Sequence, residues 1–233
     1  MQGQKKPNNS NRPNISQSNI LRKLNHYLDN EGRSFTLDMA GHCAGFTAVW
    51  LYAKWLSTQP KSEPPKPRDD YDWLKKTLTS IDNWDGESNL ESTQQQDFDR
   101  LIYHIEYFQN IKKYQPTLSQ ISLTESLTDT KNRKLKKEYS LAASFTQKEL
   151  AEILPAIIRK NKWVRLDSHN HAMGILTEGD AVYFYDSNEK NVEGGEGGEI
   201  GIRFSLLDDS WANDLAKKFF AQANLPNTIF LLL

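Results

Sequence analysis

Apolar side chains recur with two different rhythms along this chain, and the change comes near Lys162. In SNILRKLNHYLDNE, Ile20, Leu21, Leu24 and Leu28 stand at helical spacing behind Ser18 as N-cap, and Gly32 supplies the stop. AGFTAVWLYAKWLSTQ is apolar on nearly every face until Pro60, which predicts a helix buried inside a domain and beginning at Cys43. Residues 71–80 and 97–115 predict two more helices, the second carrying Phe98, Leu101, Ile102, Ile105 and Phe108 on one side. FTQKELAEILPAIIRK opens with Thr146 and Glu149 at capping-box spacing and predicts a helix with a kink at Pro155.

Beyond Lys162 the period becomes strand-like. KWVRLDS, NHAMGILTE, DAVYFYDS and EIGIRFS are short runs rich in β-branched and aromatic residues, separated by EGD and the Gly-rich stretch 194–198. They predict an antiparallel meander, followed by a last helix over about 206–223 and a returning strand in NTIFLLL. Helices first and sheet second make an α+β fold, with a helical part over 17–160 and a sheet part over 161–233. Residues 1–16, rich in Asn, Gln, Ser and Pro, bury too little apolar surface to offset ordering and are expected to form a disordered tail. KSEPPKPRDD reads as a Pro-rich loop, and 116–140, with its basic run KNRKLKK, as a solvated segment without assigned function.

The chain has 233 residues, enough for one sizeable core, so 17–233 is expected to be a single domain. Lys plus Arg number 29 against 30 for Asp plus Glu, and this balance gives nothing global to attract nucleic acid or an anionic membrane. No apolar run reaches the roughly 20 residues of a transmembrane span, and the polar N-terminus has no apolar core of a secretory signal. The single cysteine forbids an intrachain disulfide, and its context must explain it.

That context is GHCAGF. A glycine turn leads into Cys43 and Cys43 into a buried helix, so backbone N–H groups and the positive helix end favour the thiolate. Gly41 and Gly45 leave room for a substrate backbone, and the Cys43 amide is placed to donate to a developing oxyanion. His171 lies about 130 residues downstream, near the start of a strand, within reach of the spacing found between thiol and base in papain-like enzymes. Asp186 ends the aromatic strand VYFYD on a neighbouring strand, where a carboxylate orients the imidazole. A lone cysteine is more often a small buried hydrophobe, a strand-end histidine a satisfied core group and a strand-end aspartate a turn former. The combination favours catalysis.

GHCAGFTAVWL, NHAMGI and YFYDSN resemble the Cys, His and Asp motifs of the YopT-like cysteine proteases, bacterial effectors and virulence factors with a papain-like fold. The resemblance covers three short blocks within residues 41–188. It implies Cys43 as nucleophile, His171 as base and Asp186 as orienting partner, acting on a protein substrate of the host, without metal or cofactor. It also implies delivery into a host cell by a specialised secretion system. Papain-like enzymes place a Gln or Asn several residues before the cysteine as a second oxyanion donor. Here SFTLDMAGH precedes it, with Leu37 at the sixth position, which leaves His42, Asn30 or a backbone amide.

Four alternatives stay open. His169 and His171, two apart on one strand, could present a zinc ion with Cys43 or Asp186, although no CxxC or HExxH accompanies them. His169 also rivals His171 as base, and Asn188 rivals Asp186; small Ala172 and Gly174 after His171 favour that choice. The same triad runs deamidation, transglutamination and acyl transfer, which differ in the acceptor that resolves the thioester. A different class is a non-catalytic protein-binding module built on Trp73, Trp84 and the tyrosines of 71–115, for which ordinary core packing is the simpler explanation. Oligomeric state is not legible.

Overall fold

Among the described residues, helices come first, as far as Gln109, and a sheet flanked by further helices follows. The computed structural model describes residues 15–39, 41–58, 70–109, 144–160, 162–168, 171–188, 200–223 and 228–229. Among them the elements are α1 (Gln17–Asn30), α2 (Cys43–Ser57), α3 (Asp70–Asn83), α4 (Ser92–Gln109), β1 (Ser144–Phe145), α5 (Gln147–Lys160), β2 (Trp163–Asp167), β3 (Ala172–Glu178), β4 (Ala181–Asp186), β5 (Ile202–Ser205), α6 (Trp211–Ala223) and β6 (Thr228–Ile229). The protein is α+β. Strands β2–β3–β4–β5 form an antiparallel sheet in chain order, and β1 pairs with β6. His169, the basic run, the Pro-rich loop, the Gly-rich stretch and residues 1–14 lie outside the described residues.

The expected helices are present with shifted ends. α1 starts two residues earlier than Ser18 would allow, because Ser16 is the cap and accepts from the Asn19 N–H. Ile15 and Ser16, assigned to the tail, are buried. The Thr146–Glu149 capping box forms, with the Thr146 N–H donating to Glu149 Oε2 at 2.7 Å. α5 continues past Pro155. The last helix begins at Trp211 rather than near 206, because 206–210 are taken by a turn in which Asp208 Oδ1 accepts from the Ser210 N–H.

The division into a helical part and a sheet part changes in one respect. α5, expected with the helices, packs on the opposite side of the sheet from α2. Alternation along the strands shows why. In β3, Met173 and Ile175 join Leu150, Leu154, Leu215 and Phe219 of α5 and α6, whereas Leu176 joins the α1–α4 core. In β4, Val182 and Phe184 face α5 and α6, and Tyr185 faces Trp50. Both faces of the sheet are covered, so it forms the middle of three layers.

α2 lies directly on the sheet. Gly174 leaves no side chain between β3 and the helix, since a Cβ there would sit 3.0 Å from the Trp50 ring. Thr47 Oγ1 donates to the Ala172 carbonyl at 2.9 Å, and the Trp50 indole N–H donates to the Ile200 carbonyl at 3.2 Å. On its other side α2 meets α4 at Gly45, where any Cβ would come within 2.4 Å of the Ile105 carbonyl oxygen. Two glycine contacts therefore clamp the helix that begins at Cys43, one against the sheet and one against α4.

Candidate active site

Cys43 is the first residue of α2 and only 8 % exposed. The first N–H groups of a helix lack the usual partner within it, and all but one of those at the start of α2 are met locally. The Ala44 N–H hydrogen-bonds the Cys43 sulfur, the Gly45 N–H donates to Gln109 Oε1 at 2.9 Å, and the Phe46 N–H closes the first turn on the His42 carbonyl. The N–H of Cys43 itself has no hydrogen-bond partner among the described residues.

The sheet supplies the other side of the site. Register pairs Asp186 with Met173, which sets the end of β4 beside the start of β3. His171, just before β3, is held by Ser168: the Ser168 N–H donates to the His171 carbonyl at 2.7 Å, and the His171 N–H donates to Ser168 Oγ at 3.0 Å. His171 Nε2 lies 2.7 Å from Asp186 Oδ1, with both side chains buried. Asp186 Oδ1 also accepts the Asn188 N–H at 2.8 Å. The adjoining Ser187 is tied to the start of α1, where the Gln17 N–H donates to its carbonyl and its hydroxyl donates to Gln17 Oε1.

Cys43, His171 and Asp186 thus come together in one chain of contacts, carboxylate to imidazole to sulfur. With Nε2 committed to Asp186, the Nδ1 edge of His171 is left for the thiol. Burial alone raises the Cys43 pKa, but the His171 hydrogen bond and charge and the N–H groups of Ala172 and Ala44 outweigh it, so the thiol titrates below its ordinary value. Burial acts oppositely on His171, and hydrogen bonds and charges from Asp186 and Cys43 overcome it, carrying the imidazole up to about 9. A lowered thiol beside a raised imidazole favours the thiolate–imidazolium form of the pair.

The oxyanion expectation for His42 is corrected by its surroundings. His42 is buried to 1 %, with Nδ1 2.6 Å from the Asp38 carbonyl and Nε2 2.7 Å from Glu106 Oε1. Both ring nitrogens are committed, so the ring has no N–H to offer a substrate. Asn30 is committed elsewhere, donating to the Gly86 carbonyl. Asn188 reaches Asp186 through its backbone, not through a carboxamide that would replace it. Trp73 donates to Asp97 Oδ1, and Trp84 is buried in the α1–α4 core.

Two residues of the site escaped the sequence reading, Glu106 and Gln109. Both lie near the C-terminal end of α4 and reach the residues flanking Cys43. Gln109 is placed by the Gly45–Ile105 contact, since it stands one helical turn beyond Ile105. Its carboxamide oxygen must face the Gly45 N–H, which leaves the amide N–H groups to point away. Among the described residues no group of three or more His, Cys, Asp and Glu is arranged to hold a metal ion. Among the described residues no helix is long and apolar enough to cross a membrane. No family model matches the sequence, and a search of curated proteins gives no significant match.

Proposed function

We propose that this chain is a thiol hydrolase of papain-like fold that cleaves a peptide or isopeptide bond in a protein substrate. The observation that carries the reading is the Cys43–His171–Asp186 contact chain at the start of a helix, with a depressed thiol and a raised imidazole. The Cys43 thiolate attacks the carbonyl carbon, and the carbonyl oxygen becomes an oxyanion. That oxygen accepts from the Cys43 N–H, which has no partner among the described residues. The imidazolium then gives its proton to the leaving amine as the C–N bond breaks and the thioester forms. His171, now neutral, takes a proton from water, hydroxide adds to the thioester, and the thiolate leaves with the imidazolium restored. Asp186 holds the ring orientation and balances its charge throughout.

The protein substrate and the effector role rest on the resemblance of the three short blocks to YopT-like proteases. The test of the reaction class is direct. Iodoacetamide should alkylate wild-type Cys43 with a midpoint well below the ordinary thiol value of about 8.5. Cys43→Ala should abolish turnover of a protein substrate and acylation by p-nitrophenyl acetate while leaving the circular dichroism unchanged. A thiol that reacts only on unfolding would overturn the proposal.

A further inference from the structure

The buried pair next to the nucleophile has no part in the proton path, yet it is built as tightly as the catalytic one. His42 and Glu106 are each 1 % exposed, and they meet at 2.7 Å from elements 64 residues apart in sequence. Carbonyl oxygens only accept, so the 2.6 Å contact between His42 Nδ1 and the Asp38 oxygen places a proton on Nδ1. The short Nε2–Oε1 contact places a second proton, shared between imidazole and carboxylate. The other carboxylate oxygen, Glu106 Oε2, is buried with no hydrogen-bond partner among the described residues, where His42 is what holds the carboxylate. A buried carboxylate with one oxygen unpartnered is costly to keep, and such a group calls for a use.

Its use follows from what His42 is attached to. His42 is the N-cap residue of α2 and makes no side-chain cap hydrogen bond. It follows Gly41, whose φ of +110° places it where side chains are disfavoured. His42, directly before Cys43, is thus held by its ring, while Gly41 before it has a backbone that side chains disfavour. α4 packs on α2 at this level, with the Ile105 carbonyl, one residue before Glu106, against Gly45. We propose that Glu106, acting through His42, is a positioning residue that fixes the direction of the Cys43 N–H toward the oxyanion. This rests on the hydrolase reading above.

Iodoacetamide displacement at sulfur makes no oxyanion, whereas acylation by p-nitrophenyl acetate does. The ratio of the two rates therefore isolates the oxyanion site from thiolate formation. Glu106→Ala should lower that ratio about tenfold or more, since a displacement of roughly 1 Å at a reacting centre costs up to about a hundredfold. The midpoint of the alkylation pH profile should stay where it is in wild type. Glu106→Gln, which still hydrogen-bonds His42, should recover the ratio to within about threefold of wild type. Glu106→Asp, which withdraws the carboxylate by one methylene, should fall between them and decides the matter if the alanine variant does not fold. An unchanged ratio in a folded alanine or aspartate variant overturns the positioning role and leaves the hydrolase reading standing. A wild-type protein that is alkylated but never acylated removes both.

Discussion

Two histidine–carboxylate pairs flank one thiol, and their first contact is the same: Nε2 to a carboxylate oxygen at 2.7 Å, in a buried setting. They differ in the second ring nitrogen. That of His171 is left for the Cys43 sulfur, whereas that of His42 is bound to the Asp38 carbonyl. The carboxylate therefore does not decide what an imidazole does. A ring with both nitrogens bound to fixed acceptors is a strut, and a ring with one nitrogen facing a thiol is a base. The two pairs also stand on different supports, one on the β3 and β4 ends of the sheet and the other on α4.

The largest difference between the pairs should come from removing each imidazole in turn. His171→Ala should move the alkylation midpoint up toward the ordinary thiol value and cut acylation at pH 7 by about a thousandfold, the usual worth of a positioned base together with thiolate formation. His42→Ala should leave the alkylation midpoint near wild type. Equal shifts in the two variants would erase the distinction.

Asp186→Asn tests the sheet-borne pair through stability. His171 is raised from 6.5 to about 9 in the folded protein, so its contribution is fully present below pH 6.5 and lost as pH rises through about 9. Urea unfolding of wild type and Asp186→Asn should differ by up to about 3 kcal/mol near pH 6, and the gap should close above pH 9. A gap independent of pH would mean that Asp186 contributes through packing rather than charge. Asn188→Ala, which keeps the backbone N–H that Asp186 accepts, serves as the matched control and should change stability by less than about 0.5 kcal/mol.

On the α4 side the break is steric. Gly45→Ala pushes a methyl against the Ile105 carbonyl and should cost about 1–3 kcal/mol in urea unfolding. It should lower acylation more than alkylation, because both Glu106 and Gln109 move with Ile105. Equal losses in the two rates would show that this contact supports the fold and not the oxyanion site.

How far the sequence showed this site depends on the range of each signal. The α2 helix, the cysteine at its start and the meander after Lys162 are local patterns, and they were legible from period and turn residues. His171 and Asp186 were legible because each sits at the end of a strand, where register makes neighbours of residues 15 apart. Glu106 was not, since its partner is 64 residues away and α4 reads as an ordinary amphipathic helix on which a polar residue passes for a solvated one. The covered second face of the sheet had a signal that alternation obscures. Residues 172–176 of β3 are buried without a break, as a strand with helices on both sides requires.

The tie between Ser187 and Gln17 joins positions 170 residues apart, and the thiol meets its base across a comparably long stretch of chain. Such separations mean that the site is joined only by closing long stretches of chain, at an entropic cost that the contacts made must offset. Until the β3–β4 edge has docked on α2, the cysteine has the helix end but no imidazole beside it, and its thiol lacks the partner that lowers its pKa. On the proposed reaction, chemical competence and topological completion are the same event, and a partly unfolded molecule is expected to be inert.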